Sequence, residues 1–82
     1  MVNVAYNPLF EKIIGKLKDK ILIKKVKDHI KRIIDNPDIG KPMRYDRKGT
    51  RELYIKSFRL SYAYLKQEDK IIFLDLYHKD EQ

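Results

Sequence analysis

Four arginines, Arg44, Arg47, Arg51 and Arg59, fall within one short stretch of the chain. The chemistry such a cluster suggests is recognition of phosphate. A guanidinium presents its donors in a planar fork that matches two phosphate oxygens, and it stays charged at any working pH. Lys48 and Lys56 lie among these arginines, and His78 and Lys79 follow near the C-terminal end. Tyr54 and Tyr77 add aromatic faces to the same region. An aromatic face can stack on a base exposed from a single strand.

Other chemistries find little support. Without cysteine, disulfides, thiolate metal sites and cysteine nucleophiles are excluded. His29 and His78 stand far apart among scattered carboxylates, which is no metal-ligand spacing, and we expect no metal or cofactor. His29, in a lysine-rich helical stretch, reads as a solvated helix residue. The glycines at 15, 40 and 49 form no phosphate-cradling loop. Ser57 and Ser61 lack the elbow motif of a serine nucleophile.

The charge is unevenly spread. Formal net charge is +7. Residues 1–40 contribute +4, residues 41–66 contribute +6 and residues 67–82 contribute −3. The middle segment therefore carries the densest positive field, which attracts RNA, DNA or an acidic protein partner. Solubility alone, or adaptation to heat, is the competing explanation for the helical lysines. The first residues resemble no signal peptide, and no apolar run is long enough to span a bilayer. A cytoplasmic protein without membrane attachment is the expectation.

The elements that must position these residues follow from periodicity. The 82 residues suit one domain over 1–82, small enough that a partner would add to its stability. Val2 to Tyr6 alternates weakly and predicts a short strand. Asn7-Pro8 is a helix start, with Asn as the cap and Pro at the first helical position. Phe10, Ile13, Ile14 and Leu17 then form one apolar stripe. Asp19 caps a second helix, whose stripe is Leu22, Val26, Ile30 and Ile33, widened by Ile23 and Ile34. Pro37 ends it. The short link between the stripes predicts a helical hairpin.

Strands make up the remainder. Met43 to Tyr45 predicts a short strand, and Asp46 to Thr50 a charged turn. Glu52 to Lys56 and Phe58 to Leu65 alternate, Gln67 to Lys70 is a polar hairpin turn, and Ile71 to His78 is apolar on both faces, as in a central strand. The order predicts an α+β fold: a short N-terminal strand, a helical hairpin, then a three- to four-stranded antiparallel sheet packed against the helices.

Alternation then assigns faces. Leu60, Tyr62 and Tyr64 turn toward the helices. Arg59, Ser61 and Ala63 turn to the open face, joined by Glu52, Tyr54 and Lys56 from the preceding strand and by Asp75, Tyr77 and Lys79 from the last. One face thus gathers Arg59, Lys56, Lys79, Tyr54 and Tyr77 as a phosphate- and base-binding surface. The plainer alternative is a set of ordinary solvated strand residues.

These residues also carry a resemblance. Phe58-Arg59-Leu60-Ser61-Tyr62, followed by a hairpin and by Ile71 to Asp80, resembles the last third of the RelE/ParE superfamily of toxins. Asn7-Pro8, Asn36-Pro37-Asp38 and Gly40-Lys41-Pro42-Met43 occur at the superfamily's spacing upstream. The resemblance extends over nearly the whole chain.

It implies the toxin of a type II toxin–antitoxin pair, most like the RelE-type mRNA interferases. Those are ribosome-dependent, metal-independent endoribonucleases, in which a 2′-hydroxyl attacks the adjacent phosphate and leaves a 2′,3′-cyclic phosphate. Carried over residue by residue, the resemblance makes Arg59 the core arginine and Lys79 the second basic residue. It makes His78 an acid or base, or an RNA contact, and Glu52 a candidate base. The RNA-binding set is Arg44, Arg47, Lys48, Arg51, Tyr54, Lys56 and Tyr77. The sequence departs from the pattern where many members carry a C-terminal tyrosine and this chain has Asp80-Glu81. Tyr54 and Tyr77 are the possible stand-ins.

Implied partners are a RelB-like antitoxin in a heterotetramer, the ribosome and mRNA. The alternatives are a ParE-like inhibitor of DNA gyrase and an inactive homologue acting as its antitoxin's corepressor.

Overall fold

The computed structural model describes residues 2–44 and 49–81, Glu81 by its backbone alone. Strand β1 (Asn3–Tyr6) is followed by helices α1 (Pro8–Lys16) and α2 (Lys20–Asp35). Then come strands β2 (Lys41–Pro42), β3 (Thr50–Ile55), β4 (Phe58–Leu65) and β5 (Lys70–His78). A 3-10 turn, Lys79–Glu81, closes the described chain. Among the described residues, no helix is long and apolar enough to cross a membrane.

Both helices begin where their caps predict. The Asn7 side chain accepts the Leu9 N–H at 2.9 Å, and Pro8 opens α1. The Asp19 carboxylate accepts the N–H groups of Ile21 and Leu22 at 3.0 and 3.1 Å. These bonds satisfy donors that a helix N-terminus otherwise leaves without partners.

The strands form one five-stranded sheet in the order β1-β5-β4-β3-β2. The three junctions from β5 to β2 are antiparallel, and β1 adds in parallel on the far side of β5. The four antiparallel strands β2–β5 and the α+β architecture are those expected, and the N-terminal strand joins them in parallel to make the sheet mixed. The short strand before β3 is Lys41–Pro42, upstream of the expected 43–45, and Tyr45 lies outside the described residues. Met43 still ties back to the sheet, donating its N–H to the Thr50 carbonyl at 3.0 Å.

The core lies between the helices and one sheet face. Phe10, Val26 and Ile33 from the helices meet Ile55, Leu60, Tyr62, Ile71, Phe73 and Leu76 from the sheet. The Phe73 ring stacks on Tyr6 and Phe10, with centroids 5.5 and 5.9 Å away. Burying such a side chain fully stabilises the fold by roughly 1.5–3 kcal/mol.

A β-bulge between Ser61 and Tyr62 moves the β5 partner from Asp75 to Phe73, leaving Leu74 as the additional residue. The bulge resets the alternation, so that Phe73 and Leu76 are both buried. This irregularity accounts in part for a strand that reads as apolar on both faces.

Tyr62 does more than pack. Its hydroxyl donates to the Pro37 carbonyl at 2.7 Å and accepts the Gly40 N–H at 2.9 Å. The loop after α2 is thereby clasped to the sheet, so closely that a Cβ at Gly40 would stand 2.5 Å from the hydroxyl oxygen.

Candidate nucleic-acid interface

The register of β3, β4 and β5 lays out the open face in rows. Tyr54, Arg59 and Tyr77 are cross-strand partners in one row, and Glu52, Ser61 and Asp75 in the next. Side chains two residues apart on a strand share a face, so both rows lie opposite Ile55, Leu60 and Leu76 of the core.

Arg59 is thus turned away from the hydrophobic interior and remains half-buried. Its guanidinium carbon stands 3.8 Å from the centroid of the Tyr54 ring. One nitrogen, Nη1, donates to the carbonyls of Phe58 at 3.2 Å and Lys56 at 3.4 Å. A cation over an exposed ring gains about 0.5–1 kcal/mol, enough to bias the side chain toward one position.

Beside it, the Tyr77 hydroxyl donates to the Glu52 carboxylate. Glu52 is only 3% exposed although it lies on the open face. A buried carboxylate requires partners, and Tyr77 is one of them. An arginine and two tyrosines thus share one row, and one of those tyrosines reaches a carboxylate in the next, residue types able to bind a phosphate and accept a proton.

The sequence matches over residues 4–82 the family model described as the ParE toxin of the type II toxin–antitoxin system parDE. The chain belongs to this family of type II toxins, within the RelE/ParE superfamily. No curated protein shows significant similarity to it in sequence. Solved structures of this toxin's fold include the YoeB/ParE toxin from Agrobacterium tumefaciens, with a TM-score of 0.82, 13% identity and coverage of 94% of this chain and 98% of that one. A RelBE toxin–antitoxin complex from Mycobacterium tuberculosis matches with a TM-score of 0.79, 23% identity and coverage of 94% and 96%. The YoeB–YefM complex from Staphylococcus aureus gives 0.75, 21%, 95% and 98%. At these identities the likeness establishes the fold.

The remaining basic residues of the toxin do not all join Arg59. Lys56 departs from the open face. It begins the two-residue turn between β3 and β4 with φ 54, outside the strand's alternation, and it lines a cleft together with Lys25 of α2. The immediate neighbours of Arg59 on its face are consequently tyrosines and carboxylates, where the sequence led us to expect cations. His78 pairs with Phe58, one position out of phase with the Arg59–Tyr77 row, and its ring stands edge-on to Phe58 with centroids 5.3 Å apart. Its Nδ1 is engaged by Asp80, whose N–H is at 3.2 Å and whose carboxylate is at 3.4 Å. Lys79 falls in the 3-10 turn, where alternation no longer applies. Its N–H donates to the Ser57 carbonyl at 2.7 Å and its side chain is exposed.

Arg51 is committed elsewhere. It donates to the carbonyls of Asp38 and Gly40 at 3.1 and 2.8 Å, and pairs with the Asp38 carboxylate at 3.0 Å. That geometry makes it an anchor of the loop that Tyr62 clasps. Arg44 is exposed after β2. Arg47 and Lys48, also expected to bind RNA, lie outside the described residues. Lys25 had no sequence signal: it occupies an ordinary position on a lysine-rich helix, and only the tertiary fold brings it to Lys56.

Proposed function

We propose that this toxin is a ribosome-dependent mRNA endonuclease that halts translation. The observation that carries the proposal is the open-face row in which Arg59, laid over Tyr54, stands between two tyrosines, with Glu52 in the adjacent row bound to Tyr77. In the reaction, the 2′-hydroxyl oxygen bonds to the neighbouring phosphorus and the bond to the 5′-oxygen breaks. The products are a 2′,3′-cyclic phosphate and a free 5′-hydroxyl. Glu52 accepts the 2′-hydroxyl proton as it is released from Tyr77, and the leaving 5′-oxygen takes a proton from Lys79 at the end of β5, since His78 is out of phase with the Arg59 row. Arg59 stabilises the charge that accumulates on the phosphoryl oxygens. Tyr54 and Tyr77 offer stacking surfaces to the flanking bases. Neutralisation falls to a RelB-like antitoxin in a heterotetramer, whose acidic segment covers Arg59. The RelBE and YoeB–YefM complexes among the structural relatives support such a partner.

The test is cleavage of a defined mRNA on purified ribosomes, mapped by primer extension. The parent protein is expected to cut within codons in the ribosomal A site. Arg59→Ala should lose about 10²–10³ in rate, the usual loss for one preorganised electrostatic group. Undiminished cleavage by a folded Arg59→Ala protein refutes the assignment.

The second reading is inhibition of DNA gyrase by protein contact. The match to the ParE toxin model favours it, as does the scarcity of cations beside Arg59. Inhibited supercoiling with intact mRNA would establish that reading in place of the first.

A further inference from the structure

A second cluster of cations lies off the open face, at the edge where α2 meets the β3–β4 turn. A cleft of about 250 Å³ opens there, lined by Lys25, Lys56, Ser57, Phe58, His78 and the start of α2 at Asp19, Ile21 and Leu22. Lys25 and Lys56 line it from different elements, near enough for each charge to act on the other. Two ammonium groups at such range repel unless an anion lies between them. Their closeness lowers the Lys25 pKa, with burial adding to the effect and Asp19 opposing it.

Asp19 is the carboxylate in the cleft wall, but its Oδ1 already accepts two N–H groups as the helix cap. The carboxylate of Asp80 stands against His78, on the side of Nδ1. Neither arrangement pairs a carboxylate with both lysines.

The turn itself supplies an independent argument. Lys56 takes φ 54, a left-handed conformation that is strained for a side-chain-bearing residue and that glycine adopts freely. A lysine at a position where glycine fits better points to a use for its charge. The same residue links the two clusters, because its carbonyl accepts from Arg59 while its side chain points into the cleft.

We infer that Lys25 and Lys56, with Ser57 and His78 beside them, bind one phosphate of a single-stranded RNA whose neighbouring phosphate lies at Arg59. The strand then crosses the β3–β4 turn from the open face to the helix side. The choice of RNA as the polyanion rests on the function proposed above; the existence of an anion site does not.

The experiment measures affinity of the full chain for a fluorescein-labelled single-stranded oligoribonucleotide across a range of salt. Lys56→Gly removes the charge and relieves the strained turn, so loss of folding does not confuse the result. Lys25→Gln is the matching change on α2. Each is expected to weaken binding equally for all sequences and to lower the salt slope by about 0.7, the value for one phosphate on a single strand. The double variant should fall no further, because both lysines hold the same phosphate.

A parallel titration with inorganic phosphate follows the His78 imidazole by NMR. It should shift saturably in the parent and not in Lys56→Gly. RNA binding with an unchanged slope in the variants, or additive losses of slope, overturns the shared site while leaving the RNA reading intact. A phosphate response without RNA affinity keeps the anion site and overturns RNA as its ligand. Neither response overturns both.

Discussion

Removing one oxygen from the core should destabilise this toxin severely. Tyr62 is fully buried, and its hydroxyl joins the loop after α2 to the sheet through Pro37 and Gly40. In Tyr62→Phe the ring still fills its place, but the Gly40 N–H and the Pro37 carbonyl lose their partner. A buried group left without a hydrogen bond costs about 1–3 kcal/mol. Gly40 is buried and should approach the upper value; Pro37 is half-buried and water recovers part of its bond. We therefore expect a total loss of about 2–4 kcal/mol. For a domain of this size each kcal/mol shifts Tm by roughly 4–8 °C, so Tm should fall by on the order of 10–25 °C.

Alkaline pH provides an internal check. Burial raises the Tyr62 pKa, and Asp38 adds to this while the Gly40 bond and Arg51 oppose it. The folded state then retains a proton that the unfolded chain releases. Stability from this group is complete below the unfolded value of ~10 and is lost as pH rises through the higher folded value. Urea unfolding followed by circular dichroism, from neutral pH to above ~10, should show a steeper decline for the parent than for Tyr62→Phe. A neutral-pH loss below ~0.5 kcal/mol would falsify the clasp, since it would mean that both groups find water as readily as the phenol.

Three further outcomes follow from the same geometry. Gly40→Ala places a methyl 2.5 Å from the Tyr62 oxygen and should cost about 1–3 kcal/mol by overpacking, measured by the same urea titration. Lys56→Gly should stabilise by on the order of 1 kcal/mol, because the φ of 54 is no longer strained; a lower Tm contradicts this. Asn7→Ala deletes the α1 cap and should cost about 1 kcal/mol, with early hydrogen exchange at the Leu9 amide as its local signature.

Local physics made much of the fold legible. Asn7-Pro8 and Asp19 mark both helix starts because capping depends on neighbours in the chain. Alternation along β4 places Tyr62 inward and Arg59 outward, because a strand offers only two faces. What the sequence concealed depends on distant partners. The parallel pairing of Asn3 with Lys70 has no local signature. The bulge opposite Ser61 and Tyr62 alters which β5 residues are buried without altering their apolar character.

The site was legible only as far as strand alternation held. Tyr54, Arg59 and Tyr77 met as expected. Lys56 and Lys79 fell in turns, where parity no longer predicts direction. Arg51 looked available for RNA because its acceptors, Asp38 and Gly40, lie more than ten positions upstream.

The position of β5 between β1 and β4 has a consequence for synthesis. An interior strand that emerges from the ribosome after the other four leaves β1 without its neighbour and β4 with one side open until residues 70–78 have been made. The row that holds Arg59 against Tyr77 is likewise incomplete until then. Before that point a nascent chain of this toxin has neither a complete sheet nor an assembled Arg59–Tyr77 row, and it exposes a strand edge to which another polypeptide can add. Partner capture at that stage would intercept the protein before it is competent to act.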